Sequence, residues 1–188
     1  VTHHEAKGGH VATGGQLYQG GALPPRFDGA FIHANLLSHL VQWSTVERTG
    51  STFESTLQGT FADSNDTWFA PSDMTTGPDG AIYVCDWHDA RMAHPDPDAT
   101  WDRSNGRIYR IAPPSHPVEP AFDLRTKSNA ELVDLMGHKN AWFARRARVL
   151  LASRDTADVQ EALAHNIAQS DNRTLAMESL WTQFASGN

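Results

Sequence analysis

The sequence predicts an antiparallel β-sheet repeat present in two copies, followed by an all-α helical solenoid. Three observations carry that prediction. Gly77-Pro78-Asp79-Gly80 is turn chemistry, and the run Ala81-Ile82-Tyr83-Val84-Cys85 after it is short, β-branched and aromatic, ending on Asp86. The same signature stands earlier as Asp28-Gly29-Ala30-Phe31-Ile32-His33-Ala34, with Asn35 where the later copy has Asp86. The offset of 51 residues between Asp28 and Asp79 lies in the range of propeller blades. From Asp123 onward the apolar period changes from that of strands to that of helices.

The 188 residues suffice for one domain or two small ones. A hydrophobic share of 39% with 20% charged residues is that of a folded globular chain. The formal charge of −7 argues against non-specific nucleic-acid binding, which needs a basic face. No apolar run approaches the roughly 18 residues of a membrane span, and no signal-peptide pattern is present. Cys85 is the only cysteine, which excludes an internal disulfide, a thiolate cluster and a Cys-x-x-Cys-His haem attachment within the chain. Its strand position predicts a buried, inert thiol. Val1 opens the chain without Met, amid patterned sequence, so the chain is expected to be a piece of a longer protein.

The opening stretch 1–15 is rich in His and Gly. His3, His4 and Glu5 offer metal-type side chains at a spacing that fits no ligand motif, and a loop or an expression remnant explains them equally. Strands are predicted at Gln16–Tyr18, Ala30–Asn35, His39–Trp43, Thr52–Phe61, Asp73–Thr76, Ala81–Cys85 and Gly106–Ile111, with a Gly/Pro-rich loop over 20–29 and a short turn at Leu36–Ser38. Asp63-Ser64-Asn65-Asp66 lacks the glycine and distal glutamate of a calcium loop and reads as a turn. The stretch Asp86–Asn105 is a long polar loop holding His88, Asp89, Arg91, His94 and several carboxylates. Loops of that length in a compact domain are often functional. Asp86 and His88, at the strand exit, are candidate metal or ligand residues, set against a role for Asp86 as a turn cap.

Pro113, Pro114 and Pro117 make residues 113–122 a stiff connector between a sheet domain at 1–112 and a helical part at 123–188. Ser128 followed by Glu131 is a capping-box signature. Helices are predicted up to Gly137, over Ala141–Ser153, Asp155–Ala168 and Arg173–Phe184, with Leu175, Leu180 and Phe184 as the apolar residues of the last. Arg145, Arg146 and Arg148 read as a solvated face. Such short amphipathic helices in antiparallel pairs need neighbours to cover them.

Gly9 to Gly20, with His10, Ala12, Gly14, Tyr18 and Gly20, resembles a stretch of sorbosone-type dehydrogenases, six-bladed β-propellers related to the soluble quinoprotein glucose dehydrogenases. Pro71–Asp86 resembles their next blade. Phe69-x-Pro71-x-Asp73, the loop around His94 and Gly106–Ile111 together resemble large bacterial membrane-bound dehydrogenase proteins, in which a propeller is followed by HEAT-like helices and often by a c-type haem domain. The resemblance covers about residues 8–112; over 123–185 it is weaker. It implies a β-propeller fragment of about two antiparallel blades followed by a HEAT/ARM-like helical repeat, from an extracytoplasmic (periplasmic) oxidoreductase of sugars or alcohols. The implied cofactor is pyrroloquinoline quinone (PQQ), with haem only in parts outside this chain.

The resemblance points to His10 as a catalytic or cofactor contact, and to Asn35 and Asp73 as further cofactor-binding candidates. A structural histidine that bonds a neighbouring blade is the alternative for His10. The arginines that hold the quinone in the relatives correspond to Ala70 and Ser72 here, and the basic position near Asn35 to Asn35-Leu36-Leu37. The relatives' catalytic base lies in an earlier blade, so the chain alone is expected to be inactive. Its expected partners are the missing blades, a sugar substrate and a haem domain. The alternative is a non-catalytic propeller–solenoid module that binds carbohydrate or protein, or a spacer between a haem domain and a catalytic one.

Overall fold

The computed structural model describes residues 12–89 and 104–187. The chain divides into two compact units, 1–116 and 117–188, and the division falls inside the proline-rich connector. The first unit holds two antiparallel sheets, the second four α-helices.

The first sheet is formed by β1 (Ala12–Leu17), β2 (Phe31–Asn35), β3 (Leu40–Thr49) and β4 (Thr52–Asp63), paired in sequence order. The second contains β5 (Pro71–Thr76), β6 (Ile82–Asp86) and β7 (Arg107–Ile111), in the same order. The two Asp-Gly-Ala turns lead into equivalent strands. β2 pairs with β3 through Ala34–Val41 and Asn35–Leu40, and β6 pairs with β7 through Cys85–Ile108 and Asp86–Arg107. Each first strand also carries a register shift near its start, at Thr13/Gly15 in β1 and at Pro71/Asp73 in β5. The two sheets are copies of one unit, differing by the fourth strand, β4.

Strand alternation puts Ile32, Ala34, Val41 and Trp43 on the face of the first sheet that packs against Met74, Ile82, Val84, Tyr109 and Ile111 of the second. Phe27, from the β1–β2 connection, caps this core by edge-on contacts with Trp43 and Phe61, at 4.9 and 5.1 Å between ring centres. β3 continues six residues beyond the sequence expectation, to Thr49. Glu47, Arg48 and Thr49 are exposed and carry no apolar pattern; what extends the strand is the two-residue hairpin Gly50-Ser51, with Gly50 at φ +61°.

The phase of the alternation corrects one expectation. Cys85 is exposed, because Ile82, Val84 and Asp86 take the inward side of β6 and leave Tyr83 and Cys85 on the outward one. Asp63–Asp66 is a turn tied by its own side chains: Asp63 Oδ1 accepts from the Asn65 N–H at 2.8 Å and Asp66 Oδ1 from the Trp68 N–H at 2.9 Å.

The second unit begins with a 3₁₀ turn at Leu124–Thr126, followed by α1 (Asn129–Leu135), α2 (Ala141–Arg154), α3 (Ala157–Gln169) and α4 (Arg173–Ala185). Ser128 and Glu131 form the reciprocal capping box, while Asn140 and Asn172 cap α2 and α4. Leu132, Met136, Ala147, Leu151, Val159 and Leu163 form the core.

Two expectations need correction here. Arg148 does not belong to a solvated face: it reaches α4, where its guanidinium donates to Glu178 at 2.9 Å and lies 5.4 Å from the Trp181 ring centre. α4 buries Glu178, Ser179 and Thr182 and exposes Met177, Leu180, Trp181 and Phe184, so Leu180 and Phe184 face outward. No helix among the described residues is long and apolar enough to cross a membrane.

Candidate functional site

The exit of β6 gathers ionisable side chains. Asp86, only 5% exposed, accepts through Oδ1 from the N–H groups of Ala70 and His88, each at 2.8 Å. The second of these bonds closes a tight turn in which His88 takes a left-handed φ of +52°. His88 is buried; its Nδ1 accepts from Arg107 Nη1 at 2.6 Å, and its ring lies 5.8 Å from that of Trp68. Asp66 Oδ2 stands 3.8 Å from the same Nδ1. Asp86 Oδ2 is 3.3 Å from His88 Nδ1 and 3.9 Å from Arg107 Nη1, yet neither approach has hydrogen-bond geometry.

Asp86 and His88 are thus together, as their spacing suggested, but the chemistry is that of a turn cap. Arg107 Nη1 occupies His88 Nδ1, the ring nitrogen nearest Asp86, so the two side chains do not share a cation through that atom. Among the described residues no group of three or more His, Cys, Asp or Glu side chains is arranged to hold a metal ion. Arg107 and Asp66 complete the cluster and were not singled out from the sequence. They lie about 20 residues to either side of Asp86: Arg107 reaches it by pairing of β6 with β7, and Asp66 comes from the turn between β4 and β5.

The other candidates lie apart from this cluster. Asn35, the counterpart of Asp86 in the first sheet, is buried and donates to Gln42 Oε1 at 3.1 Å. Asp73 is exposed on β5, beside the backbone of β1: a Cβ added to Gly14 would sit 2.7 Å from Asp73 Cα. Ala70 is fully buried with its N–H held by Asp86, and the Ser72 hydroxyl donates to the Cys85 carbonyl at 3.3 Å. His10, His3, His4, Glu5 and His94 lie outside the described residues, as does most of the 86–105 loop.

The motif residues converge at the opposite end of the strands. Tyr18 is fully buried; its hydroxyl donates to the Gly80 carbonyl at 2.8 Å and accepts from the Ala22 and Leu23 N–H groups, each at 2.9 Å. Burial pushes the phenol above its ordinary value, opposed by those two N–H groups. Gly20 and Gly80 meet backbone to backbone: a Cβ on Gly80 would lie 2.5 Å from the Gly20 carbonyl, and Gly80 holds φ +76°. Gln16 Oε1 accepts from both the N–H and the hydroxyl of Thr76, at 3.1 and 3.0 Å, and the Thr13 hydroxyl donates to the Pro71 carbonyl at 2.7 Å. The two sheets are stapled along their first strands.

Asp79 anchors the second copy of the turn. Its carboxylate accepts from the Ala81 N–H at 3.1 Å, the Tyr83 hydroxyl at 3.0 Å and Arg110 Nε at 2.7 Å. Burial pushes its pKa up, but the Arg110 guanidinium, the Ala81 N–H and the Tyr83 hydroxyl outweigh it and hold the carboxyl below its ordinary value. His116 Nε2 donates to the Asp79 carbonyl at 2.7 Å. The sequence marked Asp79 as turn chemistry and gave no sign of Arg110 or His116, which reach it from β7 and beyond.

No curated protein and no solved structure matches the chain. A family model described as a domain of unknown function, DUF7133, matches residues 3–115, which is more than half of the chain and spans both sheets. With that match over the stapled sheet unit, the chain belongs to the DUF7133 family.

Proposed function

We propose that this chain is part of a sugar- or alcohol-oxidising dehydrogenase built on a six-bladed β-propeller, and that its sheet unit builds the ring rather than carrying the reaction. In this reading the two sheets are neighbouring blades of the glucose/sorbosone dehydrogenase type. The helices begin a HEAT/ARM-like repeat, the catalytic base lies elsewhere, and electrons pass to a haem domain outside the chain in an extracytoplasmic compartment. The observation that carries the structural part is the use made of the motif residues. Gly14, Tyr18, Gly20 and Gly80, which bear the family resemblance, are all engaged where the two sheets meet. The oxidoreductase part rests on the resemblance alone.

PQQ does not fit the residues described. Its carboxylates and carbonyls call for cationic forks, and the two positions in question are a buried alanine and a serine whose hydroxyl is bonded to Cys85. No step is assigned through the quinone to this chain. That same misfit favours a second reading, a non-catalytic propeller–solenoid module that binds carbohydrate or protein.

The test is a titration of the complete parent polypeptide with PQQ and calcium while dye reduction by simple sugars and alcohols is followed. Saturable, quinone-dependent reduction upholds the dehydrogenase reading. Neither binding nor turnover would replace it with the binding module.

A further inference from the structure

The two sheets are equivalent in register, yet equivalent faces are not equally covered. In the first sheet, the cross-strand pair Ala34–Val41 is fully buried against the second sheet. The same pair in the second sheet is Cys85–Ile108, where Cys85 is exposed and Ile108 is 71% exposed. Trp87, just beyond Cys85, is 57% exposed. Nothing among the described residues seats on this face, although it carries an apolar β-branched residue in the position that Val41 fills at an interface.

The polar positions match as well. Thr13 and Gln16 of β1 are the side chains that hydrogen-bond to the first strand of the second sheet. Thr13 pairs with Ala34 and Gln16 with Ile32; on the second sheet Asp73 pairs with Cys85 and Thr75 with Tyr83. Asp73 and Thr75 therefore stand at the register positions of Thr13 and Gln16, and both are exposed. Asp73 Oδ1 already accepts from the Met74 N–H at 2.7 Å and lies beside Gly14 of β1, so Thr75 is the polar tie that faces an incoming strand.

We infer that the Asp73–Thr75–Cys85–Ile108 face of the second sheet is a docking surface for one more antiparallel sheet of this same repeat, seated in the register by which the second sheet sits on the first. The inference rests on the repeat reading above and is independent of the dehydrogenase assignment. The incoming sheet places apolar side chains equivalent to Ile82 and Val84 over Cys85 and Ile108, and its first strand runs beside β5 within reach of Thr75. Interfaces of this kind place a dry apolar pair at the centre and polar ties at the rim.

Cys85 is the only cysteine of the chain and sits in the middle of the face, so its alkylation reports the docking directly. The measurement is the rate at which Cys85 itself is alkylated by a small maleimide, read on its own peptide by mass spectrometry, in the complete native polypeptide compared with the same polypeptide unfolded in urea. The expected result is protection of at least about tenfold, because a covered thiol reacts only when the interface opens. Ile108→Glu, which places a carboxylate in the covered face, is expected to restore reactivity while strand content by circular dichroism stays unchanged. A native thiol that reacts as fast as the unfolded one overturns the inference. Protection that disappears on dilution also overturns it, since the cover would then be a second copy. Protection in a polypeptide that shows no dye reduction upholds the docking and rejects only the dehydrogenase reading.

Discussion

Tyr18→Phe removes one oxygen atom and tests whether the motif tyrosine is a staple. The hydroxyl serves three backbone groups, the Gly80 carbonyl and the Ala22 and Leu23 N–H groups, and the ring is fully buried. The bonds to Gly80 and Leu23 are themselves buried, so phenylalanine leaves an acceptor and a donor with no protein partner and no access for water. Each such loss costs about 1–3 kcal/mol, and the partly accessible Ala22 N–H adds less. Destabilisation of about 3–5 kcal/mol is expected for the sheet unit. The assay is urea unfolding followed by strand circular dichroism, with the helical signal as an internal control, because Tyr18 has no part in the second unit. The midpoint falls and the urea dependence stays constant if the variant alters stability alone. A variant within about 0.5 kcal/mol of the native chain would refute the staple, since that is the range of a neutral surface change.

Three further outcomes follow from the same contacts. Gly80→Ala places a Cβ 2.5 Å from the Gly20 carbonyl at φ +76°, so it is expected to cost at least about 2 kcal/mol in the same unfolding assay. Asp86→Asn keeps an oxygen for the Ala70 and His88 N–H groups and is expected to cost under about 1 kcal/mol, whereas Asp86→Ala costs about 2–4 kcal/mol; an asparagine variant as damaged as the alanine one would speak against the turn cap. Glu131 is held down to about 2 by the Ser128 N–H, then by Lys127 and the Ser128 hydroxyl. Its folded value lies below the ordinary 4.5, so its contribution is complete above that pH and is lost as pH falls through about 2. Helical stability should decline over that window, and Glu131→Gln, which retains the capping geometry, should flatten the decline.

What the sequence disclosed, and what it concealed, follows the range of the interactions. The two Asp-Gly-Ala turns and the Ser128–Glu131 box are local chemistry, and both stand where the residues placed them. The face on which Cys85 lies depends on which side of β6 meets the first sheet, and no residue near Cys85 encodes that. α4 is the sharper case: its apolar stripe of Met177, Leu180, Trp181 and Phe184 has the period of a core face, yet the Arg148–Glu178 pair and the buried Thr182 turn the helix the other way. At the β6 exit, Asp86 was legible as a strand-ending carboxylate. Its companions arrive at long separation, Arg107 by cross-strand pairing and Asp66 from the turn before β5, which spacing does not reveal. The Tyr18 staple was visible only as a resemblance; its physical reason, a hydroxyl bridging two sheets, needed both sheets in place.

As proposed above, the two sheets are consecutive units of a closed ring. A three-dimensional map of the complete parent polypeptide tests it most directly. The expected result is six sheets around an axis, with β1 and β5 innermost and a sheet seated over Cys85 and Ile108. A closed pair of sheets with that face open to solvent would contradict it.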